Sequence, residues 1–140
     1  MRIWLDHIGI ASEDLSDALA RWTRLIPAAP SAIEEVPGEH VRLSFLDVGS
    51  ARLELLESTS DDSAIGRFLR RRGPGIHHLS FRVAGTPIDD WFRELERRGV
   101  PLVGAGPREG SGADRVFFVH PRATAGVLVE FAQAPEEVRA

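Results

Sequence analysis

The sequence predicts an α+β fold: two tandem βαβββ modules whose sheets curl into an incompletely closed, mixed β-barrel around a metal cleft. Three observations carry this. A pattern of strand, helix and three strands runs once, breaks at Gly73-Pro74-Gly75, and starts again. Each copy opens with a histidine in an apolar strand, Asp6-His7-Ile8-Gly9-Ile10 and then His77-His78-Leu79-Ser80-Phe81. Each copy closes with a glutamate among apolar residues, Leu53-Glu54-Leu55-Leu56 and then Val129-Glu130-Phe131. Neither module alone can bury both faces of its sheet. The chain is therefore expected to form one domain over residues 1–140, with module 1 over roughly 1–58, a linker over 59–74 and module 2 over 75–134.

The elements follow in order. Residues 3–11 read as a strand, with Ile8 and Ile10 on one face and His7 on the other. Ser12 or Asp14 caps a helix that lines up Leu15, Ala18, Leu19, Trp22 and Leu25. Pro27 and Pro30 end it. Strands are expected near 31–36, 41–48 and 51–57, the last two joined by a turn at Gly49-Ser50. The linker holds a short helix around Ile65, Phe68 and Leu69. In the second module a strand spans 76–83, and a helix after Pro87 carries Ile88, Trp91, Phe92 and Leu95 until Gly99 stops it. Strands follow near 101–103, 114–120 and 126–132.

Composition narrows the chemistry. At 140 residues, with 43% hydrophobic and 27% charged residues, the chain has the profile of a soluble globular protein. No apolar run approaches the ~20 residues of a membrane span, and the N-terminus turns polar too soon for a signal peptide, so cytoplasmic residence and no membrane partner are expected. A net charge of -4 argues against nucleic acid as a partner. Cys, Tyr and Lys are absent, which removes disulfides, thiolate nucleophiles, Schiff-base lysines and phenolic acids. Proton transfer falls to His, Asp, Glu or water.

His7, Glu54, His78 and Glu130 occupy matched positions of the two copies, each out of phase with its apolar neighbours. A carboxylate buried among leucines costs several kcal/mol unless it is paired or binds a metal. Two imidazoles and two carboxylates converging in an apolar pocket suit one divalent cation. Taken singly, each is equally well a polar residue facing water. His77 shares the face of Leu79, Phe81 and Val83 and reads as a supporting or core histidine. His120, before Pro121, ends a strand at a turn and reads as structural, while His40 stays unassigned. Arg70-Arg71-Arg72 suits the C-terminus of a helix, with a phosphate anchor as the alternative. Arg108, Arg115 and Arg122 flank Gly110-Ser111-Gly112, a loop whose amides and cations could hold a carboxylate or phosphate.

The His-strand and Glu-strand in two βαβββ copies resemble the vicinal oxygen chelate (glyoxalase-like) superfamily, over nearly the whole chain. The strings Gly75-Ile76-His77-His78-Leu79 and Phe118-Val119-His120-Pro121, continuing to Gly126-Val127-Leu128-Val129-Glu130, resemble its methylmalonyl-CoA epimerase branch. The resemblance implies metal ligands at His7, Glu54, His78 and Glu130, although some epimerases carry Gln at the Glu54 position. It implies cobalt as the metal, with zinc, manganese or nickel as substitutes, and a homodimer. The implied activity is interconversion of (2R)- and (2S)-methylmalonyl-CoA, an acyl-CoA substrate, through an enolate. Glu130 is then the first candidate base. Glu54, Glu39 and His40 are weaker candidates for the opposite face, and Arg115, Gly112 and His40 are candidate substrate contacts. Some epimerases carry a catalytic Glu on the third strand where this chain has Leu43, so the partner base is unassigned. Lactoylglutathione lyase, non-haem iron ring cleavage and metal-free sequestration are the competing readings.

Overall fold

Strand β1 (Arg2–Ser12) ends where the Ser12 hydroxyl donates to the Leu56 carbonyl, 2.9 Å away. Asp14 then caps helix α1 (Leu15–Leu25), its side chain accepting from the Asp17 N–H. Glu57 Oε2 takes the Leu15 N–H at 2.8 Å, so two of the helix's orphan donors find carboxylate partners. The computed structural model describes residues 1–111 and 114–135. They group into two compact units, one running from His7 to His77 and the other combining Met1–Asp6 with the chain from His78 onward. The two units are thus divided within β1 and within the His77-His78 pair.

In the His7–His77 unit, strands β2 (Glu34–Val36), β3 (Val41–Asp47) and β4 (Arg52–Ser58) precede helix α2 (Ala64–Arg72). The strand order is β2-β3-β4-β1, with β1 parallel to β4 and the other pairs antiparallel. Period-2 alternation splits the side chains between two faces. On one face Ile10, Leu46, Leu53 and Leu55 pack against Leu15 and Ala18 of α1. On the other Ala11, Val41, Leu43 and Leu56 pack against Ile65 of α2. Helix α2 lies hard against the preceding loop: a Cβ on Gly66 would meet the Ser60 carbonyl oxygen at 2.6 Å. β2 starts later than expected: Ser31 meets β3 partly through side chains, its N–H donating to the Phe45 carbonyl while its Oγ, not its carbonyl, accepts from the Phe45 N–H.

The second unit holds most of strand β5 (Gly75–Ala84), helix α3 (Ile88–Arg97), and strands β6 (Leu102–Glu109), β7 (Arg115–Val119) and β8 (Val129–Gln133). The order is β5-β8-β7-β6, with β5 and β8 parallel. Ile88, Trp91, Phe92 and Leu95 of α3 pack on Val83, Phe117 and Val119. Gly99 ends the helix at φ +76, a conformation that favours glycine. β6 is longer than its Gly104-Ala105-Gly106-Pro107 stretch suggests. The strand slips register between Val103 and Arg108, and this bulge absorbs the residues that cannot keep the ladder. β8 begins three residues late, because Thr124 Oγ1 accepts from the Val127 N–H and holds that segment in a turn. The α+β class and the repeated module stand.

Candidate functional site

The parallel pairing of β1 and β4 sets Gly9 opposite Glu54 and leaves His7 two residues back on the same face. His7 and Glu54 are buried, with His7 Nε2 3.6 Å from Glu54 Oε1. On the other side of Glu54 the antiparallel partner in β3 is Phe45. Its ring meets the His7 imidazole edge-on at 5.5 Å between centroids. The Arg52 guanidinium covers the Phe45 ring, 4.0 Å from its centroid.

The second unit repeats this register. Ser80 stands opposite Glu130, with His78 two residues back, and all three are buried. Phe118 of β7 is the antiparallel partner of Glu130, and its ring meets His78 edge-on at 6.0 Å. Arg108 lies 5.7 Å over the Phe118 ring. The repeated unit is therefore His, Glu, Phe and Arg. Phe45, Phe118 and Arg52 were not singled out from the sequence, because their places follow from hairpin register.

Beyond the histidines the two faces diverge. Ser80 Oγ donates to Glu130 Oε1 at 2.6 Å, whereas Gly9 offers Glu54 no side chain. At the next inward position Ala11 joins an apolar core, while Arg82 is a buried cation. Arg82 binds Asp6 at 3.3 Å, Asp114 at 2.7 Å and the Gln133 carbonyl at 3.0 Å. Burial alone would lower its pKa, but the two carboxylates raise it above the ordinary value.

His7 and Glu54 in one unit, and His78 and Glu130 in the other, are each a buried imidazole and carboxylate on one sheet face, the residue types that hold a metal ion. Neutral imidazoles with carboxylate, all buried, are a donor set that fits a divalent transition metal. Glu130 meets Ser80 within its own unit. Leu43 is buried beneath Ile65 in the apolar core, so its position supplies no base.

The remaining candidates sit as follows. Arg115 forms a two-pronged pair with Asp89 at 2.9 and 2.7 Å, which raises the arginine's pKa and holds the Asp89 carboxyl below its ordinary value. His40 is exposed, in left-handed backbone (φ 54) at the end of a 3-10 turn, Pro37–Glu39. Gly112 lies outside the described residues. His77 packs edge-on against Phe68 at 5.0 Å, as a supporting residue would. His120 caps a turn, its Nδ1 accepting from the Arg122 N–H at 3.0 Å. In α2, Arg70 binds the Asp61 carbonyl and Arg72 lies over Phe68, which ties this basic end to the fold. A cavity of about 610 Å³ lies at the start of α1, lined by Glu13, Asp14 and Asp17 together with Arg21 and Trp22.

The chain is similar to proteins of known family and fold. The profile of the Glyoxalase/Bleomycin resistance protein/Dioxygenase superfamily matches residues 6–118. An uncharacterised Bacillus subtilis protein, YqjC, is 34% identical over 92% of this chain and 91% of its own length. Human mitochondrial methylmalonyl-CoA epimerase is 30% identical over 93% of this chain and 73% of its own. A variant of Streptomyces coelicolor methylmalonyl-CoA epimerase, solved with 2-nitronate-propionyl-CoA, superposes with a TM-score of 0.87. That structure is 32% identical and matches 94% of this chain and 96% of its own.

Proposed function

Because the chain belongs to the glyoxalase/bleomycin resistance protein/dioxygenase superfamily, we propose that it is a metal-dependent epimerase interconverting (2R)- and (2S)-methylmalonyl-CoA. The observation that carries the reading is the repeated buried donor pair, His7 with Glu54 in one unit and His78 with Glu130 in the other. The epimerase relatives support the substrate class, since one of them was solved with a CoA-ester analogue.

In this reading His7, Glu54, His78 and Glu130 hold one divalent cation, cobalt first, with zinc, manganese or nickel able to replace it. When bound, the ion supplies Lewis-acid stabilisation of charge developing on the thioester oxygen. The chain's own residues supply the rest. Epimerisation takes a proton from C2 on one face and returns one to the other through an enolate. Glu130 is the first candidate base, because a carboxylate can shift between a cation and the substrate and take the proton from one face. Glu54, Glu39 and His40 are the remaining candidates for the second face, since Leu43 contributes only apolar surface. The edge-on rings of Phe45 and Phe118 hold the imidazoles in place.

Two neutral imidazoles and two carboxylates leave a divalent site near zero charge, so a substrate carboxylate gains from a separate cation. Arg115, the expected cation, shares the β7 face of Phe117 and Val119 and pairs with Asp89 of α3, so alternation along β7 puts it on the opposite face from Phe118 and Glu130; Gly112 and His40 are the remaining candidate contacts. The protein is read as a cytoplasmic homodimer, and no helix among the described residues is long and apolar enough to cross a membrane. The deciding experiment is proton–deuteron exchange at C2 of methylmalonyl-CoA in D2O. Exchange by the wild type, and on the order of a thousandfold less by His78→Ala, is expected. Exchange undiminished in His78→Ala, or its absence from the metal-loaded wild type, would overturn the assignment.

A further inference from the structure

We propose that Ser80 is a positioning residue for Glu130, committing one carboxylate oxygen to its hydroxyl so that metal binding falls to the other; this rests on the reading of Glu130 as a metal ligand. Ser80 is 0% exposed, and its Oγ sits 2.6 Å from Glu130 Oε1. An ionised carboxylate only accepts, so the hydroxyl proton points at Oε1. The two residues are direct partners in the β5–β8 ladder, so backbone register, rather than a flexible side chain, delivers the hydroxyl. Arg82, the next residue inward on that face, anchors the same pair of strands through the Gln133 carbonyl. The ladder is thereby held on the far side of the Ser80–Glu130 contact.

The equivalent place in the other half is Gly9, which gives Glu54 no such hydroxyl. The two glutamates of the repeat are thereby made unequal. Glu130 has a fixed plane and one reserved oxygen, while Glu54 takes its orientation from elsewhere. A hydrogen-bonded partner behind a ligating carboxylate sets its angle and commonly contributes 10–100-fold in metal affinity.

The test titrates cobalt(II) chloride into the metal-stripped full-length protein, following affinity and the visible ligand-field spectrum. Ser80→Ala is expected to weaken cobalt binding by about tenfold and to shift the absorption bands. In the C2 exchange assay it is expected to lower kcat while leaving KM nearly unchanged. Ser80→Gly, which copies the residue at the equivalent place in the other half and lacks the hydroxyl, decides the question should the alanine variant not fold. Wild-type affinity and spectrum in the variants would overturn the role of Ser80 and leave the metal reading intact. Failure of the wild type itself to take up cobalt would overturn both.

Discussion

The two half-sites share one backbone plan and differ in the chemistry built around it. In each, a histidine and a glutamate sit on parallel strands, and a phenylalanine faces the glutamate from the antiparallel side. Yet around His7 and Glu54 the neighbours are Gly9, Ala11, Leu43 and Leu56, whereas around His78 and Glu130 they are Ser80 and Arg82. Register keeps the donors in step because it is set by ladder hydrogen bonds. Neighbouring positions escape that constraint, so one half becomes a dry wall and the other a polar one. The proposed epimerase, which would hold a cation and move a proton, would have use for both.

The comparison is tested first at the histidines. His7→Ala and His78→Ala are each expected to reduce C2 exchange on the order of a thousandfold, or about 4 kcal/mol of transition-state stabilisation. A large loss in one and a small loss in the other would show that the halves are not equal partners. Next comes the buried cation that only one half contains. Arg82→Met removes the partner of Asp6 and Asp114 and is expected to cost about 3–5 kcal/mol in urea denaturation. A near-neutral result would mean that water or another group takes over those carboxylates.

A smaller effect is expected at the aromatic pair. Phe45→Leu and Phe118→Leu each lose an edge-on contact with an imidazole, about 1 kcal/mol beyond the change in buried area. Equal losses would confirm the repeat as an energetic as well as a geometric one. The smallest concerns pH. Because the Arg115 hydrogen bond holds the Asp89 carboxyl low, its contribution is present above the unfolded value and is lost as pH falls through the folded one. Melting midpoints followed down through the carboxylate range should fall slightly more steeply in the wild type than in Asp89→Asn. The pair is largely exposed, so the difference is small.

Much of the molecule is readable without its structure. The strand and helix positions, the Asp14 cap, the Gly99 stop, the internal repeat and the four His and Glu candidates are written in residues close together in the chain. Alternation, capping and glycine conformation act over a few bonds, so a local pattern suffices for them. The rest depends on which strands are neighbours and in what register, and these are distant in sequence. That is why Phe45 and Phe118 escaped notice as partners of the glutamates, and why Ser80 looked like any strand serine. The Arg82 ion cluster joins residues from β1, β5 and the start of β7, and no short-range signal announces it. The sequence thus determined which side chains are available for chemistry, through short-range preferences of the backbone. Tertiary structure alone decided which of them touch, because a side chain's contacts across a sheet are chosen by long-range pairing.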